Sequence, residues 1–244
     1  MPDTGTQTEE RIKVASAGGH SFRLDYGETH LSISSDIDCR SIALDCLVRH
    51  YSELVGYINR EPLFKASYEP VAVTEDAPQI VRLMADSTKA CGVGPMAAVA
   101  GAFSELVGEG IVSAGGRDVI VENGGDIFMK AASTKTVGIH SGPSRLSGLF
   151  ALRVEPGDTP CGICTSSASV GPSISLGKAD SVTCVADSAA FADAAATALG
   201  NLVRSNDLQP VFEKASRIAG LRGVVVIVGG SFGAWGKLPE IIQR

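Results

Sequence analysis

The fold of this chain is decided by Asp118-Val-Ile-Val-Glu-Asn-Gly-Gly-Asp-Ile-Phe-Met129. Two short apolar runs, at 118–122 and 126–129, flank the polar and glycine residues Asn123-Gly124-Gly125. Asparagine and glycine adopt the positive φ angles that tight two-residue turns need. The stretch therefore predicts an antiparallel β-hairpin, and it is the strongest turn signal in the chain.

Further elements are predicted outward from this hairpin. Short alternating or apolar runs predict strands at 12–15, within 21–34, and at 136–139, 149–154, 181–186 and 223–228. Helical spacing predicts helices from 35–38 to before Pro62, from about Pro78, at 96–109, around Asp193 and at 208–219, with a loop at 155–180. Because the helices do not alternate regularly with the strands, we expect an α+β fold of mostly antiparallel sheets packed with helices.

Composition limits the classes of function. The chain has 244 residues, of which 44% are hydrophobic, and carries 27 acidic against 21 basic side chains without a basic run, so nucleic acid is not an expected partner. Residues 1–10 are polar and without a pattern, which predicts a disordered tail before a single domain at 11–244. No export signal is visible, and the longest aliphatic run, 224–228, is too short to cross a membrane. We expect a cytoplasmic protein.

One predicted helix carries a candidate metal site. Asp193 and Thr197 are four residues apart in an alanine-rich segment, which places a carboxylate and a hydroxyl on one helix face. Small neighbours on that face, Ala189, Ala190 and Ala194, leave room for a ligand. Such a pair of oxygens suits a hard cation whose shell is completed by water or phosphate. Taken alone, Asp193 is also compatible with an ordinary exposed charge.

The cysteines allow several interpretations. Cys161-Gly-Ile-Cys164 is a CxxC pair, but no second pair and no suitably spaced histidines accompany it, as a zinc site would require. A structural role is favoured, and a redox role stays open.

Two other features of the sequence are candidates for a binding or catalytic role. The run from Val224 to Gly236 resembles a dinucleotide fingerprint, but only 14 residues follow Gly230, too few for a crossover helix and second strand. A glycine-rich turn is expected there instead. The four histidines are dispersed, and His140, at the end of a predicted strand, is a candidate for projecting a functional side chain.

Several motifs then recur in one order. The run from Pro95 to Glu105 is followed by the Gly-Gly-Asp hairpin, then by Cys164-Thr-Ser-Ser-Ala168, and finally by the segment that carries Asp193 and Thr197. In this order the chain resembles the ApbE family of Mg²⁺-dependent FAD:protein FMN transferases over about residues 95–200.

The resemblance implies specific roles. Asp193, Thr197 and a backbone carbonyl near Ala97 would bind Mg²⁺. The turn at Asn123, Gly124 and Gly125 would approach FAD closely, and Asp126 would accept hydrogen bonds from its ribityl or ribose hydroxyls. Thr165 and Ser166 would donate to phosphate from a loop. The partners implied are a flavin nucleotide and an acceptor protein.

The chain also departs from the family pattern. Family members usually carry Lys-Gly where this chain has Ala100-Gly101, and a histidine-containing segment where this chain has only the short interval 170–179. His140 or Lys178 could supply the missing catalytic groups. The alternative is a catalytically inactive flavin- or nucleotide-binding protein on the same scaffold. The small residues at 96–108 would pack either inside one chain or across a homodimer.

Overall fold

Two antiparallel sheets organise the computed structural model, which describes residues 19–167 and 178–244. The strands are β1 His20–Tyr26, β2 Thr29–Ser35, β3 Val119–Asn123, β4 Asp126–Lys130, β5 Lys135–Ile139, β6 Phe150–Val154, β7 Cys161–Ser166, β8 Ser181–Ala186, β9 Leu221–Val228, β10 Ser231–Gly236 and β11 Glu240–Gln243. The larger sheet has eight strands in the order β1-β2-β3-β4-β7-β8-β9-β10, and the smaller has three in the order β11-β6-β5. Every pairing between neighbours is antiparallel.

Helices complete the α+β architecture that the sequence predicts. They are α1 Arg40–Arg60, α2 Leu63–Ala66, α3 Gln79–Cys91, α4 Val99–Ser113, α5 Ala189–Gly200 and α6 Gln209–Ala215, with 3₁₀ turns at Pro95–Ala98 and Pro156–Asp158. The helix predicted at 96–109 is thus a 3₁₀ turn followed by a longer helix, and the one predicted at 208–219 is shorter.

The eight-stranded sheet has a different layer on each face. Val121 and Phe128 belong to the core that the sheet shares with the helices, whereas Ile120 and Ile127 belong to the core shared with the small sheet. This follows from the geometry of a strand, in which successive side chains point to opposite faces. Helices α4 and α5 pack on the central strands of the first face.

The predicted hairpin is confirmed. Asn123 pairs with Asp126, and the two-residue turn between them has φ angles of +63° at Gly124 and +109° at Gly125. Both angles are in the region that side chains disfavour, so glycine is required at both positions.

The small residues of α4 serve packing within the chain. A Cβ atom added at Gly101 would lie 2.3 Å from the carbonyl oxygen of Ala189, and one added at Gly108 would lie 2.1 Å from the ring of Phe128. Glycine is therefore needed at both places, because α4 touches α5 and β4 directly. Of the two alternatives left open for these residues, packing inside one chain is the one observed.

One helical stretch, Pro95–Ser113, is long and apolar enough to cross a membrane by length and composition. Its packing beside α5, against α1 and the large sheet, accounts for that composition, because 56% of its apolar window is buried in the fold.

Strand β7 corrects the prediction of a loop at 155–180. Its residues from Cys161 to Cys164 are buried against layers on both faces of the sheet, so the segment shows no alternation of polar and apolar residues. Thr165 and Ser166 consequently end a strand and do not lie in a loop. Residues 168–177 of the predicted loop are outside the described residues, as are the predicted tail at 1–10 and the predicted strand at 12–15.

The first helix also begins later than predicted. Ser35 ends β2, and Asp36 accepts hydrogen bonds from the backbone N–H groups of Arg117 and Asp118, at 3.0 and 3.1 Å. The acidic residue therefore fastens the connection before β3, and does not stabilise the start of α1, which begins at Arg40.

At the other end of the chain, the glycine-rich turn is confirmed, since Gly229 and Gly230 connect β9 to β10. Two strands beyond it, β10 and β11, were not predicted.

The contact of β7 with α5 generates a prediction of stability. A Cβ atom at Gly162 would lie 2.3 Å from the Cα atom of Ala189, and backbone cannot move aside cheaply. We expect Gly162→Ala to lower the free energy of unfolding by about 2–4 kcal/mol in urea titration. Gly157→Ala is the control, because no atom lies within 4 Å of its added Cβ. Equal stability of both variants would contradict the close contact.

Candidate functional site

The start of α4, the middle of α5 and the β3–β4 hairpin meet at one place. The backbone N–H of Gly101 donates to Oδ2 of Asp193 at 3.0 Å. The side-chain amide of Asn123 lies 3.4 Å from the carbonyl oxygen of Ala100. The first turn of α4 therefore contacts both α5, at Asp193, and the β3–β4 hairpin, at Asn123. These two residues are 70 positions apart in sequence.

Ser104 strengthens the connection between α4 and the hairpin. Its buried hydroxyl lies 2.8 Å from the backbone carbonyl of Asp126 and 3.1 Å from that of Ala100, and can donate to either. Ser104 has no signal in the sequence, because its partner is 22 residues away and no local pattern connects the two.

Helix α5 presents the predicted pair of oxygens. Ser188 caps the helix by accepting a hydrogen bond from the backbone N–H of Phe191 at 3.1 Å. Asp193 and Thr197 follow on one face, a turn apart, and both residues are partly exposed. The carboxylate and the hydroxyl are thus on one face of α5, in residues that are neither fully buried nor fully exposed.

The carboxyl groups of Asp126 and Asp193 influence one another. Burial raises the pKa of Asp126 to about 7, against the opposing effects of hydrogen bonds from the Cys164 thiol and the Thr165 N–H. Burial also raises the pKa of Asp193, and the charge of Asp126 raises it further, whereas the N–H groups of Ala100 and Gly101 oppose the shift. Two negative charges in this place are therefore unfavourable without a cation.

The oxygen atoms at this site are of the kind that binds a hard cation. Oδ1 of Asp126 is buried and has no hydrogen-bond partner among the described residues. The 3₁₀ turn that contains Ala97 packs against α5, the helix that carries Asp193 and Thr197. No cluster of three or more His, Cys, Asp or Glu side chains suitable for a metal occurs within 19–167 and 178–244. A site here would rely on hydroxyl, carbonyl, phosphate or water oxygens besides carboxylate, as Mg²⁺ sites commonly do.

The other predicted cofactor residues border the same place. A Cβ atom added at Gly124 would have no atom within 4 Å, so the space over the turn is open. Thr165 lies across from this turn, and its hydroxyl is 2.8 Å from that of Thr183 on β8. Ser166 is next on β7 and is buried.

The two catalytic candidates are not seen to join this group. His140 is exposed just after β5 in the small sheet, and a Cβ atom added at Gly138 would lie 3.7 Å from its Nε2 and 3.3 Å from the guanidinium of Arg244. Lys178 is exposed, and its backbone N–H donates to the carbonyl of Val203 at 2.8 Å. The described contacts of both residues are with elements other than the hairpin and Asp193.

The CxxC cysteines point to opposite faces of the large sheet. Cys161 lies in the core shared with the small sheet, and Cys164 lies in the core shared with the helices. A disulfide needs Cβ atoms that face each other, so these two cannot join without rearrangement of β7. The thiol of Cys164 lies 3.2 Å from the carbonyl oxygen of Ala189 on α5 and within hydrogen-bond reach of Asp126, and its single hydrogen can be donated to either.

A separate depression of about 330 Å³ lies between α3 and α4. It is lined by Gln79, Arg82, Leu83, Asp86, Glu105, Leu106 and Glu109. None of the predicted site residues borders it, and the geometry around Asp193 is the better guide to chemistry because it joins several polar groups with perturbed pKa values.

Comparison with known proteins decides the family. A family model described as AbpE bacteria matches residues 12–229. The chain belongs to this family. Among similar proteins, a UPF0280 protein of Methanococcus maripaludis is 45% identical over 207 residues, covering 83% of this chain and 84% of the relative. A UPF0280 protein of Methanosarcina acetivorans is 41% identical over 246 residues, covering 100% and 96%.

Solved structures show the same fold. The apo form of the Pseudomonas stutzeri flavinyl transferase ApbE matches with a TM-score of 0.55 and 14% identity, over 93% of this chain and 95% of that one. The ApbE protein of Thermotoga maritima matches with a TM-score of 0.56 and 14% identity, over 89% and 97%. This AbpE chain therefore has a divergent ApbE-like α+β scaffold.

The pKa of Asp126 predicts how stability depends on pH. Its folded value of about 7 is above the ordinary value of about 3.9, so the contribution of this group to stability is present below pH 4 and is lost as the pH rises through 7. Without divalent cations, we expect Asp126→Asn to be more stable than the wild type at pH 8 by on the order of 2 kcal/mol, and less so at pH 5. Urea unfolding across this range measures the difference.

Asp45→Asn is the control, because Asp45 is exposed on α1. An equal gain in both variants would attribute the effect to net charge and contradict a specific role of Asp126.

Proposed function

We propose that this protein handles the pyrophosphate of a flavin nucleotide with Mg²⁺, as an FAD:protein FMN transferase or a related enzyme. The observation that carries the proposal is the meeting of Asp193 with the Asp126 hairpin. Both acids have raised pKa values, and one buried oxygen of Asp126 lacks a partner. A cation together with a hydroxyl-rich ligand would relieve both conditions.

Three groups would hold the metal. Asp193 and Thr197 would supply a carboxylate and a hydroxyl from α5, and Ala97 would supply a backbone carbonyl from the adjoining 3₁₀ turn. When bound, Mg²⁺ would neutralise charge on the phosphate oxygens, which would favour replacement of AMP by an acceptor hydroxyl at the flavin-side phosphorus.

The remaining residues would bind and orient the nucleotide. The open turn at Gly124 and Gly125 permits close approach of the flavin nucleotide to the backbone. Asp126 would accept a hydrogen bond from a sugar hydroxyl through its unpartnered Oδ1. Thr165 and Ser166, at the end of β7, would donate to phosphate. His140 and Lys178 remain proposed catalytic groups for which the described contacts offer no support.

The structural neighbours support the choice of ligand. The match from Pseudomonas stutzeri is a flavinyl transferase, and the scaffold is shared over nearly the full length of both chains. At 14% identity this likeness concerns the fold, and FAD as the ligand of this chain is part of the proposal. An acceptor protein and a cytoplasmic location belong to the same proposal.

One observation favours a second candidate, a flavin- or nucleotide-binding protein without transfer activity. Position 100 carries alanine where the resemblance leads us to expect lysine, and the Ala100 N–H contributes to holding Asp193. The side chain of residue 100 therefore brings no positive charge near the phosphates, which would weaken stabilisation of the leaving group.

Release of AMP distinguishes the two candidates. The protein is mixed with FAD, Mg²⁺ and an acceptor protein that carries a flavinylation threonine, and AMP is followed by chromatography. We expect AMP release that falls by about 100-fold or more in Asp193→Ala, because a metal ligand is removed. We also expect Asp193→Ala to weaken Mg²⁺-dependent FAD retention more than Asp126→Ala.

Asp45→Ala is the matched control for loss of an acid and should behave as the wild type. Tight FAD binding without AMP would support the binding protein instead. Absence of FAD binding would overturn both candidates.

The hydroxyl of Thr197 gives a finer test of the metal site. Thr197→Val removes the oxygen at nearly constant volume, whereas Thr197→Ser retains it. We expect the valine variant to bind Mg²⁺ about 10-fold more weakly in calorimetric titration and the serine variant to stay within about threefold. Equal affinities in the two variants would show that Thr197 is not a ligand.

A further inference from the structure

Glu105 is a buried acid on α4 that the proposed chemistry does not use. Its side chain is 7% exposed, and it reaches across to the start of α5. Oε2 accepts a hydrogen bond from the hydroxyl of Ser188 at 2.6 Å and another from the backbone N–H of Ala190 at 2.9 Å. An acceptor on α4 therefore satisfies N–H and O–H groups in the first turn of α5.

Asp193 on α5 likewise accepts a hydrogen bond from the first turn of α4. Helix α4 has no side-chain cap of its own at Ala98. The carboxylate of Asp193 on α5 accepts the Gly101 N–H at 3.0 Å, in the first turn of α4. Each helix thus supplies the acidic group that satisfies the N-terminal N–H groups of the other, an arrangement that we call the reciprocal cap.

The spacing within the reciprocal cap couples its two halves. Gly101 and Glu105 are one turn apart on α4, and Ala190 and Asp193 are about one turn apart on α5. Between them the helices are in backbone contact, since a Cβ atom at Gly101 would lie 2.3 Å from the Ala189 carbonyl oxygen. A shift of the α5 N-terminus would therefore move Asp193 with it.

We propose that Glu105 is a positioning residue that sets the place of Asp193 by anchoring the first turn of α5. The proposal deepens the proposed function, because Asp193 is the carboxylate ligand of the metal site there. Glu105 acts through Ser188 and Ala190 and contacts neither metal nor nucleotide. The hydrogen bonds it accepts are charge-assisted, a type stronger than neutral ones.

The test compares three variants of the full chain. Glu105→Ala removes the acceptor, Glu105→Gln keeps an acceptor oxygen, and Glu109→Ala removes an exposed acid one turn further along α4 as the matched control. Mn²⁺, as a probe for Mg²⁺, is titrated alone and followed by electron paramagnetic resonance. We expect Glu105→Ala to weaken Mn²⁺ binding about 10-fold, with the other two variants within about threefold of the wild type.

A second measurement does not depend on metal. Amide hydrogen exchange by NMR without Mn²⁺ reports on the Gly101 N–H, which is protected by Asp193. We expect its exchange to accelerate about 10-fold in Glu105→Ala and to stay unchanged in Glu109→Ala. Exchange at Val107, in the middle of α4, should be the same in all variants, which separates movement of Asp193 from general loosening.

The outcomes separate this inference from the proposed function. If the wild type binds neither Mn²⁺ nor FAD, the metal proposal fails, and exchange at Gly101 still decides whether Glu105 positions Asp193. Unchanged exchange at Gly101 in Glu105→Ala overturns the positioning role. Should that variant not fold, Ser188→Ala removes one of the two bonds and is expected to show the same acceleration in smaller degree.

Discussion

The hydrogen bond between the Gly101 N–H and the Asp193 carboxylate is the contact on which the site depends. It forms because the residues at the crossing of α4 and α5 are small. Glycine is the contact residue on α4, and alanines surround Asp193 on α5. The same first turn of α4 holds the hairpin through Ser104 and Asn123. Helix α4 therefore holds α5 and the β3–β4 hairpin in fixed positions relative to each other, although the three segments are distant in sequence.

This arrangement places two acids where neither is well solvated. Burial raises the pKa of both Asp126 and Asp193, and the charge of Asp126 adds to the shift at Asp193, so the folded chain is destabilised by its own site above pH 7. Energetically unfavourable groups of this kind persist in a protein where the surrounding packing determines the geometry. They are concentrated at functional sites. The sheet and the reciprocal cap supply that packing here, and a cation would remove the repulsion.

The comparison with relatives shows which part of the molecule is shared. Solved ApbE structures at 14% identity superpose over about nine-tenths of this chain, so the layered antiparallel sheets tolerate almost complete exchange of side chains. A core retains its fold as long as volume and the pattern of buried positions are kept. Chemistry is less tolerant, because it depends on the individual side chains of a site and not on the scaffold that carries them.

By itself the sequence determined the hairpin, the α+β class and the pairing of Asp193 with Thr197, because turn angles and helical spacing are local properties. It did not reveal β7, whose burial on both faces removes the alternating pattern, nor β10 and β11 after the glycine turn. Only the tertiary structure decided that the charge of Asp126 acts on Asp193, that Cys161 and Cys164 are separated by the sheet, and that Glu105 caps α5. The hydrogen bonds of Glu105 join residues up to 85 positions apart, and no local periodicity records them.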